Sequence, residues 1–267
     1  MKPSSYRYPG EISTLYSTLF LVFLVILITS TATLFTSALF VTLAVAITYS
    51  MNRSHHEDLI THGLLVSSTT LPELNKLVAA CAQRLNVQNY EVYVTRNRQR
   101  NAYTFGIHNP RVIVLYSSLL EIMDRDELAF IIGHELGHIA LGHTKLNSLV
   151  GGMAGIPSTG LASAILNFAF LGWNRACEYS ADRAGVLVNC SPEKAISALV
   201  KLVAGKSGMT EQGLLRAYQQ IDAEDDSWLG NLNEVFASHP LLIRRIEQIH
   251  LYSQSSEYKR LSAKKET

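Results

Sequence analysis

From Ile12 to Asn52 the chain carries no Lys, Arg, Asp or Glu, and a run this long and this apolar has few homes other than a bilayer. Leu15 to Tyr49 exceeds one ordinary span of ~20 apolar residues and fits two short ones turning in the polar dip Thr29-Ser30-Thr31-Ala32-Thr33. The expectation is an N-terminal transmembrane helical hairpin within residues 1–52. A cleavable signal peptide is not expected, because the apolar region is too long and no small-residue cleavage pattern follows a short core. Lys2 and Arg7 precede the first half, Arg53 follows the second, and the turn is uncharged. The positive-inside bias then puts both ends in the cytoplasm, with the membrane being the inner one if the protein is bacterial. A single tilted span is the alternative. It would put the rest of the chain outside and leave many apolar residues beyond the bilayer core.

The chain as a whole is close to neutral. With 23 basic and 22 acidic residues and a formal net charge of +1, no global field attracts nucleic acid, and nucleic acid is not an expected partner. Cys81, Cys177 and Cys190 are an odd number without paired spacing, as suits free thiols in a reducing compartment. Cys177 reads as a small buried hydrophobe.

Apolar spacing over Leu71 to Leu85 predicts a helix. The β-branched and aromatic runs Tyr90–Thr95, Asn101–Ile107 and Arg111–Tyr116 predict a small sheet. Asp124 followed by Glu127 predicts a capping box opening a helix that runs to about Gly142, and further helices are expected near Asn174, Ser191 and Ser238. The fold class is α+β and mostly helical, with one domain over 53–252 and a polar tail over 253–267 that is expected to be disordered.

Within the Asp124 helix stands His134-Glu135-Leu136-Gly137-His138, the H-E-x-x-H pattern. Helical rotation puts the two imidazoles roughly 40° apart on one face, where both can meet one zinc ion. Glu135 is rotated by about 100° from His134, near enough to act as general base on an attacking water without occupying the metal. A third ligand is required. In Arg175-Ala176-Cys177-Glu178-Tyr179-Ser180-Ala181-Asp182, Glu178 can complete a two-histidine, one-carboxylate site for one Zn2+ per chain. Asp182, one turn on, can accept the outer N–H of a ligating histidine. His143 follows His138 too closely for a distal third histidine, and on a continuing helix it points away, so it reads as a surface residue.

HELGH at 134–138, RACEYSAD at 175–182, and Ser238-His239-Pro240 followed by Arg245 together resemble the membrane-associated gluzincin peptidases, the family of the HtpX protease and the CAAX prenyl endopeptidases. The resemblance extends loosely from Leu71 to Leu251. It implies a zincin-like domain with ligands His134, His138 and Glu178, base Glu135 and orienting Asp182. It also implies that His239 and Arg245 approach the centre and steady the oxyanion, and that Asn101-Ala102-Tyr103 is a strand at the edge of the substrate cleft. HtpX-like members carry two further spans between the motif helix and the third ligand. Here Leu146 to Asn174 is uncharged but too short for two crossings. Leu149 to Trp173 is therefore expected to pack against the protein or to dip into the bilayer and return.

The resemblance implies an endopeptidase acting on unfolded or membrane proteins in quality control, in contact with the lipid bilayer. Two rival readings stay open. An intramembrane-type zinc protease would place its zinc helix in the membrane, against which stand Glu121, Asp124, Arg125, Asp126 and Glu127 before the motif and Lys145 after it. A catalytically inactive zinc scaffold would have no use for the spare carboxylate of Glu135.

Overall fold

In the computed structural model, residues 1–32, 36–150, 169–204 and 242–263 are described. A short 3-10 turn at Pro3–Ser5 leads into α1 (Glu11–Ala32) and α2 (Thr36–His62). Then follow β1 (Leu64–Leu65), α3 (Pro72–Leu85), β2 (Tyr90–Thr95), β3 (Ala102–Phe105), β4 (Arg111–Tyr116) and α4 (Ser117–Ile122). The remaining helices are α5 (Arg125–Leu141), α6 (His143–Val150), α7 (Leu171–Asn189), α8 (Pro192–Ala204), α9 (Leu242–Gln254) and α10 (Ser256–Ser262).

Among the described residues the sheet order is β1-β2-β4-β3, with β2 parallel to β4 and both outer pairings antiparallel. The period-2 alternation along β4 splits the sheet between two cores. Ile113 and Leu115, with Val92 and Ala102, join the main core, which includes Leu77 and Val78 of α3 and Phe130 and Ile132 of α5. Val112, Val114 and Tyr116 face the other way, with Tyr93, Tyr103 and Phe105, against Leu59 of α2.

Helix α5 is the centre of the domain. The Asp124 carboxylate accepts from the N–H groups of Asp126 and Glu127 while Glu127 accepts from the Asp124 N–H, so the expected capping box forms. Beyond it α5 is buried nearly throughout, and it lies tightly against α7. A Cβ on Gly133 would stand 2.9 Å from Val188 Cβ, and one on Gly137 would stand 2.7 Å from Ala184 Cβ. These two glycines, one turn apart, let the backbones approach and set the spacing between the histidines of α5 and the carboxylates of α7.

Both N-terminal helices form, but only α1, over Glu11–Thr31, is long and apolar enough to cross a membrane among the described residues. In α2 the uncharged apolar run fills only the first half, and the helix continues through Arg53, Glu57 and Asp58 to His62. A two-span hairpin is thus not what length and composition identify. The polar end also corrects an expectation. Instead of a disordered tail from Ser253, α9 continues to Gln254 and α10 follows, capped by Ser255, whose Oγ accepts from the Tyr258 N–H. Ile249, Tyr252 and Leu261 reach the main core, so a few apolar residues at helical spacing order an otherwise polar stretch. Most of 149–173 lies outside the described residues. At its visible end, Phe170 and Trp173 are buried with Cys177 against Leu15 and Val22 of α1.

Candidate metal centre

Helices α5 and α7 bring three donors together. His134 Nε2 lies 3.2 Å from His138 Nε2 and 3.4 Å from Glu178 Oε2, and His138 Nε2 lies 3.3 Å from Glu178 Oε1. All three residues are buried. Ligands held at 2.0–2.1 Å by a tetrahedral ion stand about 3.3 Å from one another, so this triangle fits a divalent metal without rearrangement. Its chemistry, two imidazoles and one carboxylate, is that of a catalytic site with a position left for water.

Asp182 lies one turn beyond Glu178, and its Oδ1 is 3.0 Å from His134 Nδ1. A carboxylate can only accept here, so His134 donates from Nδ1, and Nε2 is the nitrogen that faces the triangle. Arg245 of α9 donates from Nε to Asp182 Oδ2 at 2.8 Å, contacts Oδ1 through Nη2, and places Nη1 3.3 Å from Glu178 Oε2. Burial opposes the charge on Asp182, but the Arg245 guanidinium holds its carboxyl below the usual range. Burial likewise opposes a proton on His134, yet hydrogen bonds to Asp182 and Glu178 raise its pKa to about 9. Burial lowers that of His138. The two neighbouring histidines thus sit in different electrostatic settings, because among the described residues only His134 has a carboxylate on its outer nitrogen.

Glu135 is buried and faces a cavity of about 330 Å³ that Asn101, Ala102, Ile131, His134 and Arg245 also line. Strand β3 forms the edge of the sheet on that side. Asn101 and Ala102 therefore border the cleft, whereas Tyr103 belongs to the opposite face, its hydroxyl 2.7 Å from His55 Nε2. Arg100 ties the strand's approach to α8 by donating to the carbonyls of Leu202 and Val203 at 3.0 and 2.7 Å. Arg245 borders the cavity with its guanidinium nitrogens already engaged by Asp182 and Glu178. His239, with the rest of Ser238-His239-Pro240, lies outside the described residues.

One expectation is overturned. His143 is not a surface residue: it is 1% exposed, with Nδ1 3.1 Å from His138 Nδ1 and Nε2 3.0 Å from Glu11 Oε1. The helix does not continue through it. Gly142 adopts φ +81°, which caps α5 and restarts the chain as α6 in a new direction. Glu11 stands outside every motif of the sequence. The only sequence signal for it is a carboxylate set at the start of an apolar helix.

The Peptidase family M48 profile matches residues 68–252. The chain is 33% identical over 212 residues to the plastoglobule-localized metallopeptidase 48 of Arabidopsis thaliana, covering 74% of this chain and 62% of that protein. It is 26% identical over 224 residues to a protease HtpX homolog of Ralstonia nicotianae, covering 72% and 78%. Over 215 residues it is 25% identical to another from Burkholderia thailandensis, covering 69% and 75%. It thus spans less than two thirds of the plant relative and about three quarters of the bacterial ones.

Proposed function

Since this chain belongs to peptidase family M48, we propose that it is a membrane-anchored zinc endopeptidase. One observation carries the reading: the buried triangle of His134, His138 and Glu178 beside the cavity-lining carboxylate of Glu135. A zinc ion held by those three residues supplies a Lewis acid for the scissile carbonyl and makes water a nucleophile at neutral pH.

The remaining work falls to the chain's own groups. Glu135 takes a proton from the attacking water and delivers it to the leaving amine. Asp182, clamped by Arg245, keeps His134 in the tautomer that presents Nε2 inward. Among the described residues β3 pairs on one side only, with β4, which suits a peptide laid extended along its other edge at Asn101 and Ala102 and held by main-chain hydrogen bonds. Arg245 steadies negative charge in the cavity through the field of its guanidinium.

Membrane anchoring rests on α1 and the first half of α2. Tyr16, Phe20, Leu21, Phe23 and Ile28 of α1 and Leu39, Phe40 and Leu43 of α2 are exposed, an apolar surface that lipid would cover. Over Glu11–Thr31, 21 residues at ~1.5 Å each match a hydrocarbon core of ~30 Å. On this proposal both N-terminal helices enter the bilayer as a hairpin, the catalytic domain is cytoplasmic, and the substrates are unfolded or membrane proteins awaiting removal. The test is reversible metal dependence. Full-length protein in detergent should cleave an unfolded protein, stop when a chelator strips its metal, and recover with stoichiometric zinc. Cleavage that persists after complete zinc removal would refute it.

A further inference from the structure

The two histidine ligands are oriented from opposite directions. His134 is held by Asp182, within the domain, but among the described residues the outer nitrogen of His138 meets no carboxylate and instead meets His143. That histidine in turn reaches Glu11, the first residue of α1. The protons along this path are determined by its outer end. Glu11 can only accept, so His143 carries its hydrogen on Nε2. A neutral His143 then has a lone pair on Nδ1, and the 3.1 Å contact requires His138 to donate from its own Nδ1. That leaves the His138 Nε2 lone pair aimed into the triangle.

The outer end is itself fixed. Arg7 forms an ion pair with Glu11 and donates to the Leu141 carbonyl at 3.2 Å. The Ser180 hydroxyl donates to the second Glu11 oxygen and accepts from the Tyr8 N–H at 2.7 Å. Tyr6 is buried in the main core, and Trp173 stands edge-on to His143 with ring centroids 6.0 Å apart. Glu11, His143 and Cys177 lie close enough together to hold an ion of their own. Against that use, the Arg7 guanidinium already neutralises Glu11, and the N–H of His143 Nε2 points at the carboxylate.

We propose that Glu11, acting through His143, is a positioning residue for the metal: it sets the tautomer and orientation of His138 as Asp182 does for His134. The centre is then completed by the first turn of the candidate membrane helix, and a domain cut to the M48 match alone would hold one of its two imidazoles unoriented. This rests on the metallopeptidase reading above.

Zinc affinity measured by chelator competition on the full-length protein in detergent tests it, with the thermal transition of each metal-free variant as a check on folding. His143→Leu and Glu11→Leu should each weaken zinc binding by about 10–100-fold. His143→Gln should restore affinity to within about threefold, because its carbonyl accepts from His138 and its amide donates to Glu11. A packing role alone would not predict that rescue. Wild-type affinity in a folded His143→Leu protein, or His143→Gln no better than His143→Leu, would overturn the proposal. Should the leucine variants fail to fold, two-bond 15N–1H spectra of histidine-labelled, zinc-loaded wild type decide it. They should show His143 protonated at Nε2 alone, and a proton on Nδ1 overturns the assignment. Wild type that binds no zinc would sink the metallopeptidase reading as well, whereas the other outcomes bear on the relay alone.

Discussion

Arg245 meets Asp182 along both carboxylate oxygens in the protein interior, its Nε 2.8 Å from Oδ2 and its Nη2 against Oδ1. Removing the arginine leaves Asp182 and Glu178 buried without their cation. Arg245→Ala should therefore cost ~3–5 kcal/mol of stability, as expected when one partner of a buried pair is lost. Arg245→Lys, which cannot make the two-pronged contact, should fall between that variant and wild type. Thermal or denaturant unfolding of the metal-free proteins reads both.

Gly137 sits between the two histidines, where a Cβ would meet Ala184 Cβ at 2.7 Å. Gly137→Ala should force α5 away from α7, costing ~1–3 kcal/mol, and should weaken zinc binding by separating His134 and His138 from Glu178. If affinity is unchanged while stability falls, the glycines do not set the spacing of the site.

Glu127 accepts from Lys201 Nζ at 2.6 Å, Ser197 Oγ at 2.5 Å and the Asp124 N–H at 2.8 Å. Burial disfavours its charge, but these partners hold its carboxyl below the usual range. A depressed folded-state pKa gives stability that is complete above the unfolded value of about 4.3 and is lost as pH falls through the folded one. The gap in melting temperature between wild type and Glu127→Gln should be open at pH 7 and close as pH drops below about 4.3. A gap independent of pH would contradict this.

If both N-terminal helices cross the bilayer, cysteines introduced at Ser4 and at His62, in a background without Cys190, should be labelled by an impermeant reagent from the same side of sealed vesicles. Labelling from opposite sides would replace the hairpin with a single span.

The pieces of this centre that follow from local rules were legible in the sequence. H-E-x-x-H and the Glu178/Asp182 pair depend only on helical periodicity, and the Asp124/Glu127 capping box only on the first turn of α5. What escaped depends on where distant segments dock. A straight helix would carry His143 outward, and the left-handed Gly142 turns it inward instead. Glu11 lies far from the motif in sequence, and its burial comes from docking the N-terminal segment on α5 and α7. The order of the polar end rests on Tyr252 and Leu261 finding the main core, which composition alone does not reveal. The uncharged run predicts two short spans, but with the charged second half of α2 only one helix among the described residues is long and apolar enough to cross.

The most direct measurement pairs zinc content with cleavage rate for wild type and Glu135→Gln, both purified at full length. The glutamine is close in shape and leaves His134, His138 and Glu178 in place, so both proteins should carry one zinc per chain. Cleavage should fall by at least about 10²–10⁴-fold, the usual contribution of a general base. Equal cleavage by the two zinc-loaded proteins, or none by either, would contradict the assignment of peptide hydrolysis to this centre.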